Sequence, residues 1–185
     1  MNARSGQFFM EMAPKGPMDA QMVPFSPDDS LALRNAFGRF STGVTIVTTQ
    51  SERGPLGMTA NSFSSVSLDP PLVLWSPAVK SLRHDAFTHA EHFCIHVLAA
   101  EQFDLAHYFA RNGEGFEDIA WTEGPQGAPE LTGALAIFHC KRFAVHPAGD
   151  HSIVIGRITH ASERRGDGVG LLFDQGRFGI FSPSE

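Results

Sequence analysis

Val44-Thr45-Ile46-Val47-Thr48-Thr49 opens the part of the chain that decides its fold. Every residue in it is β-branched, which suits a pleated, buried strand. Gln50 to Pro55 is a polar turn, and Leu56 to Ser62 is a second strand candidate. Ser65-Val66-Ser67-Leu68 then runs into Asp69-Pro70-Pro71, whose prolines block a central ladder. Leu72-Val73-Leu74-Trp75 is a short buried strand. Strands that follow one another without long helices between them favour an antiparallel barrel over a doubly wound sheet.

Working outward, Ser26-Pro27-Asp28-Asp29 reads as a helix start, with Ser26 as N-cap, proline at the first position and acids in the first turn. Leu31, Leu33, Ala36, Phe37 and Phe40 recur at helical spacing, and Gly43 stops the helix. Residues 1–26 read as a loose arm, and 27–185 as one domain. Downstream, Ser81 to Ala90 and Ala100 to Phe109 are helical. Phe93 to Leu98, Leu135 to Val145, Ser152 to Ala161, Leu171 to Phe173 and Arg177 to Phe181 are strands. Residues 111–129 form a loop anchored by Phe116 and Trp121, and 146–151 form a turn. The expectation is a mainly β protein, a small antiparallel barrel with flanking helices, which also removes exposed sheet edges.

Composition bounds the rest. The chain has 185 residues, of which 42% are apolar and 18% charged, with a formal net charge of -6. A disordered chain is excluded, and a nucleic-acid partner is disfavoured. No apolar run is long enough to span a membrane, and the first residues do not resemble a signal peptide, so a cytoplasmic location is expected. Cys94 and Cys140 sit in apolar runs and read as buried free thiols. There is no CxxC, and His139, His146 and His151 form no recognised zinc pattern, so no metal is expected.

Three stretches carry possible chemistry. Gly57 to Ser67 crowds Thr59, Asn61, Ser62, Ser64, Ser65 and Ser67 among apolar residues. These are either solvated strand residues or a wall of neutral donors and acceptors for a planar polar ligand such as a flavin ring. Strand alternation would put Thr59, Asn61 and Phe63 on one side, and Ala60, Ser62 and Ser64 on the other. Lys80-Ser81-Leu82-Arg83-His84 is either a helix cap or a phosphate site that adds two cations to a helix N-terminus. Gly149-Asp150-His151 is either a hairpin turn or a cleft rim where Asp150 fixes the imidazole tautomer of His151. Phe63, Phe109 and Phe178 are the aromatic rings placed to stack on a ligand. No nucleophile elbow, P-loop or Rossmann fingerprint occurs.

Taken in order, Phe37 to Thr49, Gly57 to Phe63, Ser65 to Val73, Pro129-Glu130-Leu131, Gly133 to Ala136 with Cys140, and Gly149 to Ile158 resemble the flavin reductase domain family over residues 29–181. These are the NAD(P)H:flavin oxidoreductases that accompany two-component flavin monooxygenases. The resemblance implies an FMN-binding split barrel, a homodimer, FMN or FAD as flavin, and NADH or NADPH as hydride donor. It implies that Thr59, Ala60, Asn61, Ser62, Ser65, Val66 and Ser67 line the ring or ribityl chain. It implies that Lys80, Ser81 and Arg83 reach the phosphate, that Phe109-Ala110-Arg111 borders the pocket, and that the catalytic His151 lies on the nicotinamide side. Reduced flavin would then pass to a monooxygenase partner. Two departures stand out: the bulky Trp75-Ser76-Pro77 approach to the phosphate segment, which would alter which flavin fits, and Phe178 where members commonly carry Tyr. The long arm favours an alternative, a flavoprotein with tightly held FMN acting on an organic substrate or in electron transfer. The histidines leave a haem- or flavin-storing module as a third reading.

Overall fold

The computed structural model describes residues 21–182. The chain divides after Asn35 into a short N-terminal unit and a main unit from Ala36. α1 (Ser30–Phe37), which begins in the first unit, starts later than Ser26 suggested. Asp29 caps it, accepting the N–H groups of Leu31 (3.1 Å) and Ala32 (3.0 Å). Ser26 instead closes the preceding turn on the N–H of Asp28 (3.2 Å). Asp caps as well as Ser does, and Asp29 stands next to the apolar run. The helix ends before Gly38 rather than at Gly43. The expected arm lies, up to residue 20, outside the described residues.

In the main unit the backbone forms β1 (Thr42–Gly43), β2 (Thr45–Ser51), β3 (Gly54–Ala60), β4 (Ser64–Leu68) and β5 (Pro71–Trp75). Then come α2 (His84–His89), β6 (His92–Val97), a 3-10 turn over Ala100–Gln102, and α3 (Phe103–Arg111). The rest is β7 (Trp121–Glu123), β8 (Pro129–Leu131), β9 (Ala136–Ala148), β10 (His151–Glu163), β11 (Leu171–Asp174) and β12 (Arg177–Ile180). Seven strands make one antiparallel sheet in the order β3-β2-β6-β9-β10-β5-β4. β1, β11 and β12 form a second sheet, and β7 and β8 a small hairpin that begins in the loop read at 111–129 and runs on to Leu131. The 146–151 turn shrinks to Gly149-Asp150, because β9 runs on through His146 and Pro147, paired with Ile153 and Ser152.

The fold is a split barrel: the sheet curls, and its two outermost strands, β3 and β4, are joined only by Asn61-Ser62-Phe63. β2 explains the β-branched run, since Thr45 to Thr49 are all buried. Val47 packs into the barrel interior with Met58, Trp75, Phe93 and Val154. Its neighbour Ile46 faces the other way, into a second cluster with Leu98, Ala106, Phe109, Phe116 and Leu131. A strand buried on both faces reads as a continuous apolar run rather than an alternating one. Trp75 lies wholly in the interior cluster, edge-on to Phe87 at 5.1 Å, so it does not shape the approach to a ligand as the sequence suggested.

Both cysteines are free and buried. Burial pushes the Cys140 thiol up to about 12, and Cys94 is raised further, chiefly by burial. Cys94 belongs to a buried polar network that docks β8 on the barrel. Its Sγ lies 3.4 Å from His96 Nε2, and His139 Nε2 donates to Glu130 at 2.6 Å. His96 Nδ1 donates to the carbonyl of Ile46, and its Nε2 accepts the N–H of Leu131, both at 3.0 Å. Thr48 Oγ1 adds a bond to the carbonyl of Pro129.

Burial holds the His96 imidazole down from 6.5 to about 4, with the nearby His139 acting in the same direction. The unfolded chain therefore takes this proton first. The stability the site contributes is complete above about pH 6.5 and is lost as pH falls toward about 4, a change of roughly 3 kcal/mol. Urea unfolding across that window should show a steeper loss for the wild type than for His96→Gln. Parallel pH profiles would contradict this account.

Candidate functional site

The chain reverses between β3 and β4, and most of the polar residues singled out above gather there. Gly57 and Thr59 face α3, whereas Leu56, Met58 and Ala60 face the barrel interior. The expected alternation stops where the strand stops, because Phe63 packs on the same interior cluster as Ala60. Thr59 Oγ1 donates to the carbonyl of Ala106 in α3 at 2.7 Å. Ser62 Oγ accepts the N–H of Ser76 at 2.9 Å and so pins the link to the end of β5. Both hydroxyls therefore have structural duties. Asn61 and Ser65 are exposed, Ser67 is half-buried, and none of the three has a side-chain partner among the described residues. Val66 is the extra residue of a β-bulge, since Ser65 pairs with Val73 and Ser67 with Leu72. Bulges re-aim side chains and end pairing, and they collect at sheet edges and beside binding sites.

Thr59, Ala60 and Asn61 share a cleft of about 140 Å³ with Val44, Ala110, Phe173 and Phe178. Phe178, one of the three rings singled out for stacking, lines this cleft. Phe109 does not, because it is fully buried. A Cβ on Gly57 would sit 2.4 Å from the Phe109 ring, so glycine here lets α3 lie against β3. Of the triplet at the helix end, Ala110 reaches the cleft. Val44 and Phe173 carried no signal in the sequence, since each is an ordinary apolar residue of a strand or its flank. A larger cleft of about 890 Å³ lies beyond, with Leu56, Leu82, Arg53, Tyr108 and Arg111 in its walls.

The second and third motifs meet one another. Val79 N–H donates to the carbonyl of Asp150 (2.8 Å), Ser152 N–H donates to that of Pro77 (3.1 Å), and Ala78 bridges His151. Asp150 is held below the usual carboxylate range by its bond to His151 and by the charges of His151 and Lys80. His151 Nδ1 donates to Asp150 at 2.8 Å, as the tautomer argument expected. Its Nε2 has no partner among the described residues, and the ring is half-exposed. Lys80 is exposed. Ser81 does not cap α2: its Oγ accepts the N–H of Arg83 (3.2 Å), and α2 starts only at His84. His84 instead ties α2 to β10 through Ser152 at 2.9 Å. Arg83 is engaged with β3 and α3, where its Nη1 donates to the carbonyls of Gly57, Phe109 and Asn112.

One edge of the barrel thus presents neutral hydrogen-bonding groups, and a cation and an oriented imidazole stand beside it. The flavin reductase like domain matches residues 37–182. The chain belongs to this family. It is 52% identical to the FMN reductase (NADH) SmoA of Agrobacterium fabrum, across 91% of this chain and 95% of that protein. It is 40% identical to HsaB of Rhodococcus jostii, the reductase subunit of a flavin-dependent monooxygenase, across 85% and 80% of the two chains. The NADH:FAD oxidoreductase SgcE6 of Streptomyces globisporus superposes with a TM-score of 0.83 at 38% identity, covering 89% of this chain and 95% of the other. Asn61, Ser65 and Ser67 present neutral donors and acceptors at this edge, and Lys80 presents a positive charge.

Gly57→Ala should lower stability by about 1–3 kcal/mol, because the rigid Phe109 ring has no room to yield. A thermal melt that matches the wild type would show that α3 can retreat from β3 without penalty.

Proposed function

We propose that the protein is an NADH-dependent flavin reductase, taking FMN or FAD and delivering reduced flavin to a flavin-dependent monooxygenase. The observation that carries this is the joining of two motifs. The Asn61–Ser67 edge is fastened through Ser62 and Ser76 to the strand end that brings Lys80 beside Asp150 and His151. Flavin bound there supplies the N5 that accepts a hydride from C4 of the nicotinamide. The chain's own residues bind and orient. The Asn61 amide and the Ser65 and Ser67 hydroxyls pair ring polar groups that would otherwise be left unsatisfied. Lys80 and Ser81 hold the phosphate. His151, fixed by Asp150, presents Nε2 to the nicotinamide. No strong acid or base is required, so the rate depends on how closely and squarely the two rings meet.

The names of the similar proteins favour NADH as donor and support both flavins. The partner is a monooxygenase by analogy with HsaB. A homodimer accounts for β4, an outermost strand whose Leu68 is 94% exposed, and for the exposed apolar Val66, Val79 and Leu82. Among the described residues no helix is long and apolar enough to cross a membrane. We place the protein in the cytoplasm.

Purified protein should oxidise NADH rapidly in air once FMN or FAD is added. Turnover less than about tenfold above the uncatalysed rate with both flavins would refute the assignment. Asn61→Ala should raise the flavin KM by about tenfold through one unpaired ring group. His151→Ala should slow flavin reduction in stopped-flow far more than it weakens flavin binding. Unchanged reduction kinetics in that variant would remove His151 from the nicotinamide side.

A further inference from the structure

The seam between β3 and the end of α3 holds a feature that the reaction does not use. Arg83 Nη1 donates to the carbonyls of Gly57 (2.9 Å), Phe109 (2.8 Å) and Asn112 (2.9 Å), and Nη2 approaches that of Ala110 (3.4 Å). Gly57 is in mid-β3. The other three carbonyls close α3, where a helix leaves its last carbonyls without partners and its dipole favours a cation. The aliphatic part of the side chain is packed too, since a Cβ on Gly113 would meet Arg83 Cδ at 2.6 Å. Gly57 N–H donates back to the carbonyl of Gly113 at 2.8 Å, and Thr59 ties the same strand to Ala106. Ala110, beside the carbonyl of Phe109, lines the small cleft opposite Ala60 and Asn61.

We infer that Arg83 is a positioning residue that sets the width of the cleft between β3 and α3, rather than a ligand of the flavin phosphate. The inference rests on the flavin-site reading above and names a determinant of that same site. A guanidinium that turned to a phosphate would strand the last carbonyls of α3 and the carbonyl of Gly57. Lys80, exposed and near Asp150, is a cation able to meet the phosphate.

Riboflavin, which has no phosphate, separates the two roles. Arg83→Lys keeps the charge but cannot span four carbonyls, and Arg83→Gln removes the charge. Both should raise the KM for riboflavin and for FMN by about the same factor, on the order of tenfold. Amide hydrogen exchange over Tyr108–Asn112 should quicken in parallel. Lys80→Ala should raise the FMN value alone. An Arg83→Lys enzyme impaired for FMN but normal for riboflavin would overturn the inference, as would unchanged KM values for both. If the wild type reduces no flavin, the functional reading fails separately. Hydrogen exchange in Arg83→Lys then decides, and unchanged exchange at the end of α3 would overturn the clamp.

Discussion

Three residues, Asn61-Ser62-Phe63, join the two outermost strands of a seven-stranded sheet, and the rest of the molecule follows from that. Laid flat, seven strands at the usual spacing would set the outer two roughly 29 Å apart. The four Cα steps from Ala60 to Ser64 reach at most about 14 Å. The sheet must therefore curl until its edges meet, and Ser62 fastens the join to the backbone of Ser76. Because the edges are joined by a link and not by a ladder, each keeps backbone groups and polar side chains that pair with no neighbouring strand. Closure and an edge of unpaired polar groups thus arise at one place.

The outside of the barrel obeys a second constraint, close approach. α3 comes near enough to β3 for Ala110 to line the small cleft, which requires glycine at position 57. The long excursion from 112 to 135 is held separately by the side chains of His96, His139 and Thr48, which reach Leu131, Glu130 and Pro129 of β8. One attachment shapes the cleft and the other secures the loop. The two use different chemistry: backbone carbonyls gathered by a guanidinium in the first, buried imidazoles in the second.

Much of this was readable from residue order. The β-branched run at Val44–Thr49, the proline pair after Asp69 and the regular return of short strands led directly to the antiparallel barrel. The crowding of Thr, Asn and Ser between Gly57 and Ser67 marked the polar edge, and Gly149-Asp150-His151 marked the oriented imidazole. What was hidden depended on tertiary contact. Phe109 and Trp75 look like ligand-stacking or ligand-blocking aromatics in one dimension, yet both fill cores. Arg83 sits in a basic, phosphate-like sequence, and only the folded chain shows it turned toward α3. Ser26 and Ser81 have the composition of helix caps, but a nearer Asp29 displaces the first, and the helix beyond the second begins too late to be capped. Thr59 and Ser62 were read as ligand groups, and the sequence did not reveal that their hydroxyls also bond the backbone of Ala106 and Ser76.

The two buried thiols have a bearing on life in air. A reductase that lets reduced flavin escape makes hydrogen peroxide around itself, since free reduced flavin reacts with oxygen. Peroxide attacks the thiolate and not the thiol. Cys94 and Cys140 are shut off from solvent and held protonated far above neutral pH. Burial thus withholds from both sulfurs the thiolate form that peroxide attacks.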